Sequence, residues 1–209
     1  MHPAAETTPA GNTYDKYGTR HPVARRLVDG FLGELDAMVD RVGPRELLDV
    51  GCGEGIVTER MLARPGVERA VGLDRGSECL ALEWSRRARP GLELVTGDAH
   101  SLPWPGQSFD LTCSLEVLMQ VTDPPRALAE LARVSRGYMI ASAAREPIWR
   151  VLNVARGAYV RALGNSPGNI HHFSKREFTR MCAGVGEVLT VVTPFPWTLV
   201  LLRVRPPES

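Results

Sequence analysis

The chain alternates between two hydrophobic periods. From Arg20 to Val42 the apolar residues Val23, Leu27, Phe31, Leu35, Met38 and Val42 recur every three or four positions, which predicts a helix. Gly43-Pro44 ends it. Short apolar runs of strand length then alternate with amphipathic segments. Strands are predicted over 47–50, 70–73, 92–95, 109–114 and 138–142, and helices over 56–62, 78–87 and 124–134. Alternating βα units imply a parallel sheet covered by helices on both faces. After Ser142 the rhythm changes. Residues 146–173 read as an insertion, a helix-like stretch followed by a loop rich in Gly, Asn and Pro. Ser174 with Glu177 three positions on predicts a capping box opening another helix. Two β-rich runs, 188–192 and 198–204, close the chain, and Pro194-Phe195-Pro196 between them suits a hairpin connection. The polar segment 1–12 is expected to be a flexible N-terminus, leaving 13–209 as one domain that contains the 146–173 insertion.

Composition narrows the partners rather than the fold. The 209 residues carry a formal net charge of +1, so no global field draws the chain to nucleic acid or to an acidic membrane. No basic stripe with interleaved aromatics marks an RNA-binding face. No apolar run of about 18 residues offers a membrane span, and no apolar signal core leads the chain. Cys52, Cys79, Cys113 and Cys182 lack C-x-x-C spacing and a local His partner, which predicts free thiols, no metal and a cytoplasmic location. The only lysines are Lys16 and Lys175; this arginine bias, with abundant Ala, Gly and Pro, fits a GC-rich bacterial genome.

The first strand carries the chemistry. It runs into Asp49-Val50-Gly51-Cys52-Gly53-Glu54-Gly55 and then directly into a helix. Alternate glycines let backbone approach a ligand at the carboxyl end of a parallel strand. The spacing is not G-x-G-x-x-G, because the third glycine comes one residue early, and this disfavours a nicotinamide oxidoreductase. Asp74 ends the second strand, where a carboxylate is placed either to accept hydrogen bonds from a ribose diol or to serve as a turn residue or helix N-terminal charge. Asp98, in Gly97-Asp98-Ala99 after the third strand, is placed either to accept the exocyclic amine of adenine or to close an Asx-turn.

Asp49-x-Gly51-x-Gly53-x-Gly55 resembles motif I of the class I S-adenosylmethionine (SAM) dependent methyltransferases. Leu102-Pro103-Trp104-Pro105-Gly106-Gln107-Ser108-Phe109-Asp110 resembles the LPF-x-x-x-S/A-FD segment of their small-molecule members, the methyltransferase type 11 or UbiE-like group. Glu130-Leu131-Ala132-Arg133-Val134 is similar to their E-L-x-R-V-L. The usual proline-glycine-glycine turn is replaced by Ser135-Arg136-Gly137. The resemblance covers about residues 14–145. It implies an α/β, Rossmann-like, doubly wound and mainly parallel seven-stranded sheet, with an antiparallel C-terminal strand, an N-terminal helix and an acceptor lid inserted after strand five. It also implies a SAM site built from Tyr14, Tyr17, Asp49, Gly51, Cys52, Gly53, Gly55, Asp74, Arg75, Gly97, Asp98, Ala99, Ser114 and Leu115, with Leu102 and Trp104 beside the adenine. S-adenosyl-L-homocysteine (SAH) is the implied product.

The insertion is where such proteins bind the methyl acceptor. Arg145, Trp149, His171 and His172 are the acceptor-site candidates; His171, His172 and Glu116 are the catalytic ones, and adjacency lets only one histidine face the pocket. Arg145 can grip an acidic acceptor or pair with Glu146. Both histidines can instead bond backbone or cap the next helix. The absent N/D-P-P-Y/F signature disfavours methylation of amino groups on DNA bases or glutamine; Asp123-Pro124-Pro125-Arg126 lacks the aromatic residue. The expected function is methyl transfer to O, N or C of a small molecule, by a monomer or homodimer. The rival is a SAM-binding protein without transfer.

Overall fold

A computed structural model describes residues 21–155, 157, 162–166 and 168–205. The candidates Tyr14 and Tyr17 and the expected flexible segment 1–12 lie outside these residues. Among the described residues thirteen elements follow one another: α1 (Pro22–Val42), β1 (Glu46–Val50), α2 (Ile56–Leu62), β2 (Arg69–Asp74), α3 (Glu78–Arg87), β3 (Leu92–Thr96), β4 (Phe109–Leu115), α4 (Pro124–Val134), β5 (Ser135–Ala144), α5 (Ile148–Ala155), α6 (Lys175–Ala183), β6 (Gly186–Val192) and β7 (Trp197–Val204). They form one seven-stranded sheet in the order β3-β2-β1-β4-β5-β7-β6. The first five strands pair in parallel, whereas β7 lies between β5 and β6 and runs antiparallel to both. The implied fold class is therefore observed.

Local chemistry accounts for the boundaries. Pro occupies the first turn of α1, and Gly43 closes the helix in the left-handed region, its N–H bonded to the Val39 carbonyl. Phe31 and Leu35 are fully buried, each burial contributing roughly 1.5–3 kcal/mol. Phe31 meets Trp197 of β7 edge-on at 5.2 Å. Val23, in the first turn, is 62% exposed although it fits the periodic pattern. The capping box at Ser174 and Glu177 is present.

The Ser135-Arg136-Gly137 substitution has a visible consequence. No turn separates α4 from β5; the helix runs straight into the strand, and the pairing register with β4 shifts between Phe109 and Leu111. Ser135 Oγ stitches this junction, donating to the Tyr138 carbonyl and accepting from the Gly137 N–H.

In this order the sheet reverses direction of growth between β1 and β4. A crevice beyond the carboxyl ends of these strands is the general ligand position in such sheets. The glycine turn, Asp74, Asp98 and Glu116 all follow strand ends on that side.

Candidate functional site

The three glycines after β1 have different duties. All have positive φ, at +81° for Gly51, +52° for Gly53 and +80° for Gly55. A Cβ on Gly51 would sit 2.1 Å from Val117 Cγ2, and one on Gly55 would sit 2.8 Å from Leu94 Cδ1. Both are required by the protein's own packing. A Cβ on Gly53 would meet none of the described residues within 4 Å. Among the described residues, Gly53 alone of the three therefore leaves open space on its outer side, beside Asp74, whose Oδ2 accepts the Gly53 N–H at 2.9 Å. Trp84 Nε1 holds the Gly53 carbonyl at 2.8 Å.

Asp74 Oδ1 accepts the Arg75 N–H at 2.7 Å, so each carboxylate oxygen carries one backbone bond. Ionised carboxylate offers about four acceptor sites, which leaves capacity for a ribose diol. Arg75 is exposed and contributes here through its amide.

Asp49 is buried beneath the turn, where its Oδ2 accepts the Thr58 hydroxyl at 2.7 Å. Burial pushes its pKa up to about 6; the Thr58 bond opposes this, and the nearby Asp74 charge adds to it. A cation above the turn would favour the ionised form of Asp49. Cys52 also turns inward. Its side chain lies over Gly72, where a Cβ would come within 2.8 Å of the sulfur, and its amide bonds the Leu73 carbonyl. Burial foremost, then Asp49 and Asp74, push its thiol up and out of reach of thiolate chemistry.

After β3, the Gly97 N–H bonds the Asp74 carbonyl at 2.8 Å and joins the two loops. Asp98 adopts the Asx-turn weighed from the sequence: its Oδ1 accepts the His100 N–H at 2.9 Å. The same oxygen lies 2.8 Å from His100 Nδ1. Ala99 is half-buried between them. Leu102 is buried, and Trp104 packs edge-on to Phe109 at 5.3 Å. The E-L-x-R-V stretch explains how this loop is held. Glu130 accepts the Leu102 N–H, while Arg133 donates to the carbonyls of Leu102 and Trp104 and to Glu130 itself. Arg133 first, and the Leu102 N–H with it, hold the Glu130 carboxyl below its usual range.

β4 delivers Ser114, buried, and Leu115, half-buried, to the crevice. Glu116 follows at φ +62°, a left-handed conformation uncommon outside glycine. Its N–H is held at 3.1 Å by both the carbonyl and the hydroxyl of Ser142, and its carbonyl accepts from Gln120 Nε2. Such backbone conformations cost on the order of 1–3 kcal/mol and gather at functional sites.

The chain around residue 170 folds back onto this segment. The N–H groups of Ile170 and His171 both bond the Met119 carbonyl, at 2.9 and 3.0 Å. The adjacent histidines diverge. His171 stacks on Phe173 at 6.0 Å, and its Nε2 is buried without a hydrogen-bond partner among the described residues. His172 is exposed, its Nδ1 3.5 Å from Glu146 Oε1. Glu146 thus faces His172 rather than Arg145. Arg145 Nε is buried and unbonded among the described residues. Trp149 Nε1 donates to Ser166 Oγ at 2.9 Å, tying α5 to the loop. Asn153, fully buried in the same helix, donates to the Gly164 carbonyl.

The structure brings the glycine turn, Asp74, the Asp98 loop, Ser114 and Glu116 to one edge of the sheet, with His171 anchored to the segment after Glu116. Thr58, Gly72, Trp84 and His100 were not singled out from sequence. Gly72 shows itself only once Cys52 is seen to lie over it, and no spacing rule marks Thr58. Among the described residues no group of His, Cys, Asp and Glu could hold a metal, and no helix is long and apolar enough to cross a membrane.

Residues 48–141 match the family model described as a methyltransferase domain. Over 170 residues the chain is 30% identical to a malonyl-[acyl-carrier protein] O-methyltransferase of Halorhodospira halophila, covering 78% of this chain and 54% of that protein. It is 34% identical over 145 residues to the ubiquinone/menaquinone biosynthesis C-methyltransferase UbiE of Paracoccus denitrificans, covering 63% and 58% respectively. The chain spans about half the length of these curated relatives. Among solved structures, magnesium protoporphyrin IX methyltransferase from Synechocystis PCC 6803 with bound SAH superimposes with a TM-score of 0.65 at 16% identity, over 90% of each chain. A SAM-dependent methyltransferase from Mesorhizobium loti gives 0.64 at 19% identity, over 83% of this chain and 97% of its own. The fold is thus shared at low identity.

Proposed function

We propose that this chain is a class I SAM-dependent methyltransferase, a reading supported by the methyltransferase-domain match over residues 48–141, and that it transfers a methyl group to oxygen or carbon of a small or carrier-borne acceptor. The observation that carries the reading is the division of labour among the glycines. Gly51 and Gly55 are filled by the protein's own side chains, while Gly53 opens beside a ribose-ready carboxylate.

SAM, when bound, supplies a methyl carbon already activated by a sulfonium. The chain's contribution is alignment, exclusion of water and custody of one proton. Asp74 accepts from the ribose hydroxyls, and the second oxygen of Asp98 accepts the adenine amine. The Asp49 charge beneath the turn favours a cation above it. His171 is the candidate base: its buried Nε2 takes the proton an acceptor hydroxyl or acidic carbon gives up on attack. Arg145 is the candidate grip for an acidic group on the acceptor, and Trp149 and Phe173 the aromatic walls. The relatives' names, a malonyl-[acyl-carrier protein] O-methyltransferase and a ubiquinone/menaquinone biosynthesis C-methyltransferase, favour attack by oxygen or carbon over nitrogen.

Calorimetry with SAM, SAH and NAD tests the cofactor, with binding of the first two and none of NAD expected. Tritiated methyl transfer to malonyl carrier protein and to hydroquinones then tests the reaction. Cofactor binding without label in any acceptor class would favour a binding protein that does not transfer methyl groups.

A further inference from the structure

We propose that His100 is a positioning residue for the adenine ring, fixing Asp98 so that its outer carboxylate oxygen selects a base bearing an exocyclic amine. The inference rests on the cofactor site proposed above. Asp98 is 61% exposed at its side chain. A carboxylate so placed would sample several rotamers and lose that freedom on binding a ligand. His100 removes the freedom beforehand. Its backbone N–H and its Nδ1 both engage Oδ1, at 2.9 and 2.8 Å. Among the described residues no donor reaches Oδ2, which is left for a ligand.

The imidazole is itself held from behind. It is only 10% exposed, and its Nε2 accepts the Asp123 N–H at 3.3 Å. The His100 carbonyl accepts from Arg126 Nε at 3.1 Å. An Nε2 that accepts carries no proton, so this bond assigns the hydrogen to Nδ1, pointed at Asp98. Asp123 is also the N-cap of α4, accepting the Arg126 N–H. The ring thereby fastens the loop after β3 to the start of α4. The two bonds from His100, backbone first, hold the Asp98 carboxyl below its usual range, with Arg75 adding a smaller pull. Asp98 therefore remains an acceptor at neutral pH. It complements the amine of adenine and opposes the carbonyl that hypoxanthine carries at the same position. A site built to bond one group rejects the analogue lacking it.

The test is calorimetric titration with SAH and with S-inosyl-L-homocysteine, comparing the ratio of their Kd values across variants. The wild type should favour SAH at least tenfold. His100→Ala should reduce that preference severalfold. His100→Asn keeps a donor at the Nδ1 position and should retain most of it, while His100→Gln, which reaches toward Asp123 instead, should behave as the alanine variant. Thermal melts confirm that each variant is folded. An unchanged preference in folded His100→Ala, or a loss in His100→Asn as large as in His100→Ala, would overturn the assignment. Failure of the wild type to bind SAH at all would instead remove the cofactor reading beneath it.

Discussion

Asp49 offers the sharpest quantitative test. Its folded-state pKa of about 6 stands above the ordinary 3.8 because the carboxylate is buried under the glycine turn. The native state therefore holds this proton more tightly than the unfolded chain. Its contribution is most favourable at low pH and is lost as pH rises through about 6. The full shift corresponds to about 3 kcal/mol, of which about 1.4 kcal/mol falls between pH 5 and pH 8. Asp49→Asn removes the titration and keeps an oxygen to accept the Thr58 hydroxyl. Urea denaturation of both proteins across that range isolates the effect, because the carboxylates with lowered pKa values are common to both and cancel. The stability of Asp49→Asn relative to wild type should climb by about 1.4 kcal/mol from pH 5 to pH 8. A difference that stays flat with pH would refute the burial argument. The same charge has a functional side: wild-type preference for cationic SAM over neutral-sulfur SAH should rise across pH 6 and flatten in Asp49→Asn.

Three further outcomes follow from the geometry. Gly51→Ala should lower the melting temperature sharply through its clash with Val117, whereas Gly53→Ala should cost about 1 kcal/mol of stability and mainly weaken SAH binding in calorimetry. His171→Ala should reduce turnover about 100-fold with SAH affinity unchanged, and His172→Ala should leave turnover within a few-fold, both read by tritiated methyl transfer. Arg133→Ala should raise amide hydrogen exchange at Leu102 and Trp104 and weaken SAH binding, because the guanidinium holds the carbonyls of both residues.

Much of this protein was legible along the chain. Periodicity marked the seven strands and helices α1 to α4 to within a few residues, because apolar spacing follows directly from which face an element buries; α5 was legible only as a helix-like stretch and α6 only by its cap. The glycine turn, Asp74 and the capped helices were legible too, since each depends on residues a few positions apart. Only the tertiary structure decided what depends on distant neighbours. It separated Gly53 from Gly51 and Gly55, because the side chains of Val117 and Leu94 fill two of the three spaces. Asp49 was bonded to Thr58 beneath the turn, two adjacent histidines were given different neighbours, and His100 was set between Asp98 and the cap of α4. Burial and cross-chain hydrogen bonds are properties of the packed molecule, and they sort residues of one chemical type into different roles.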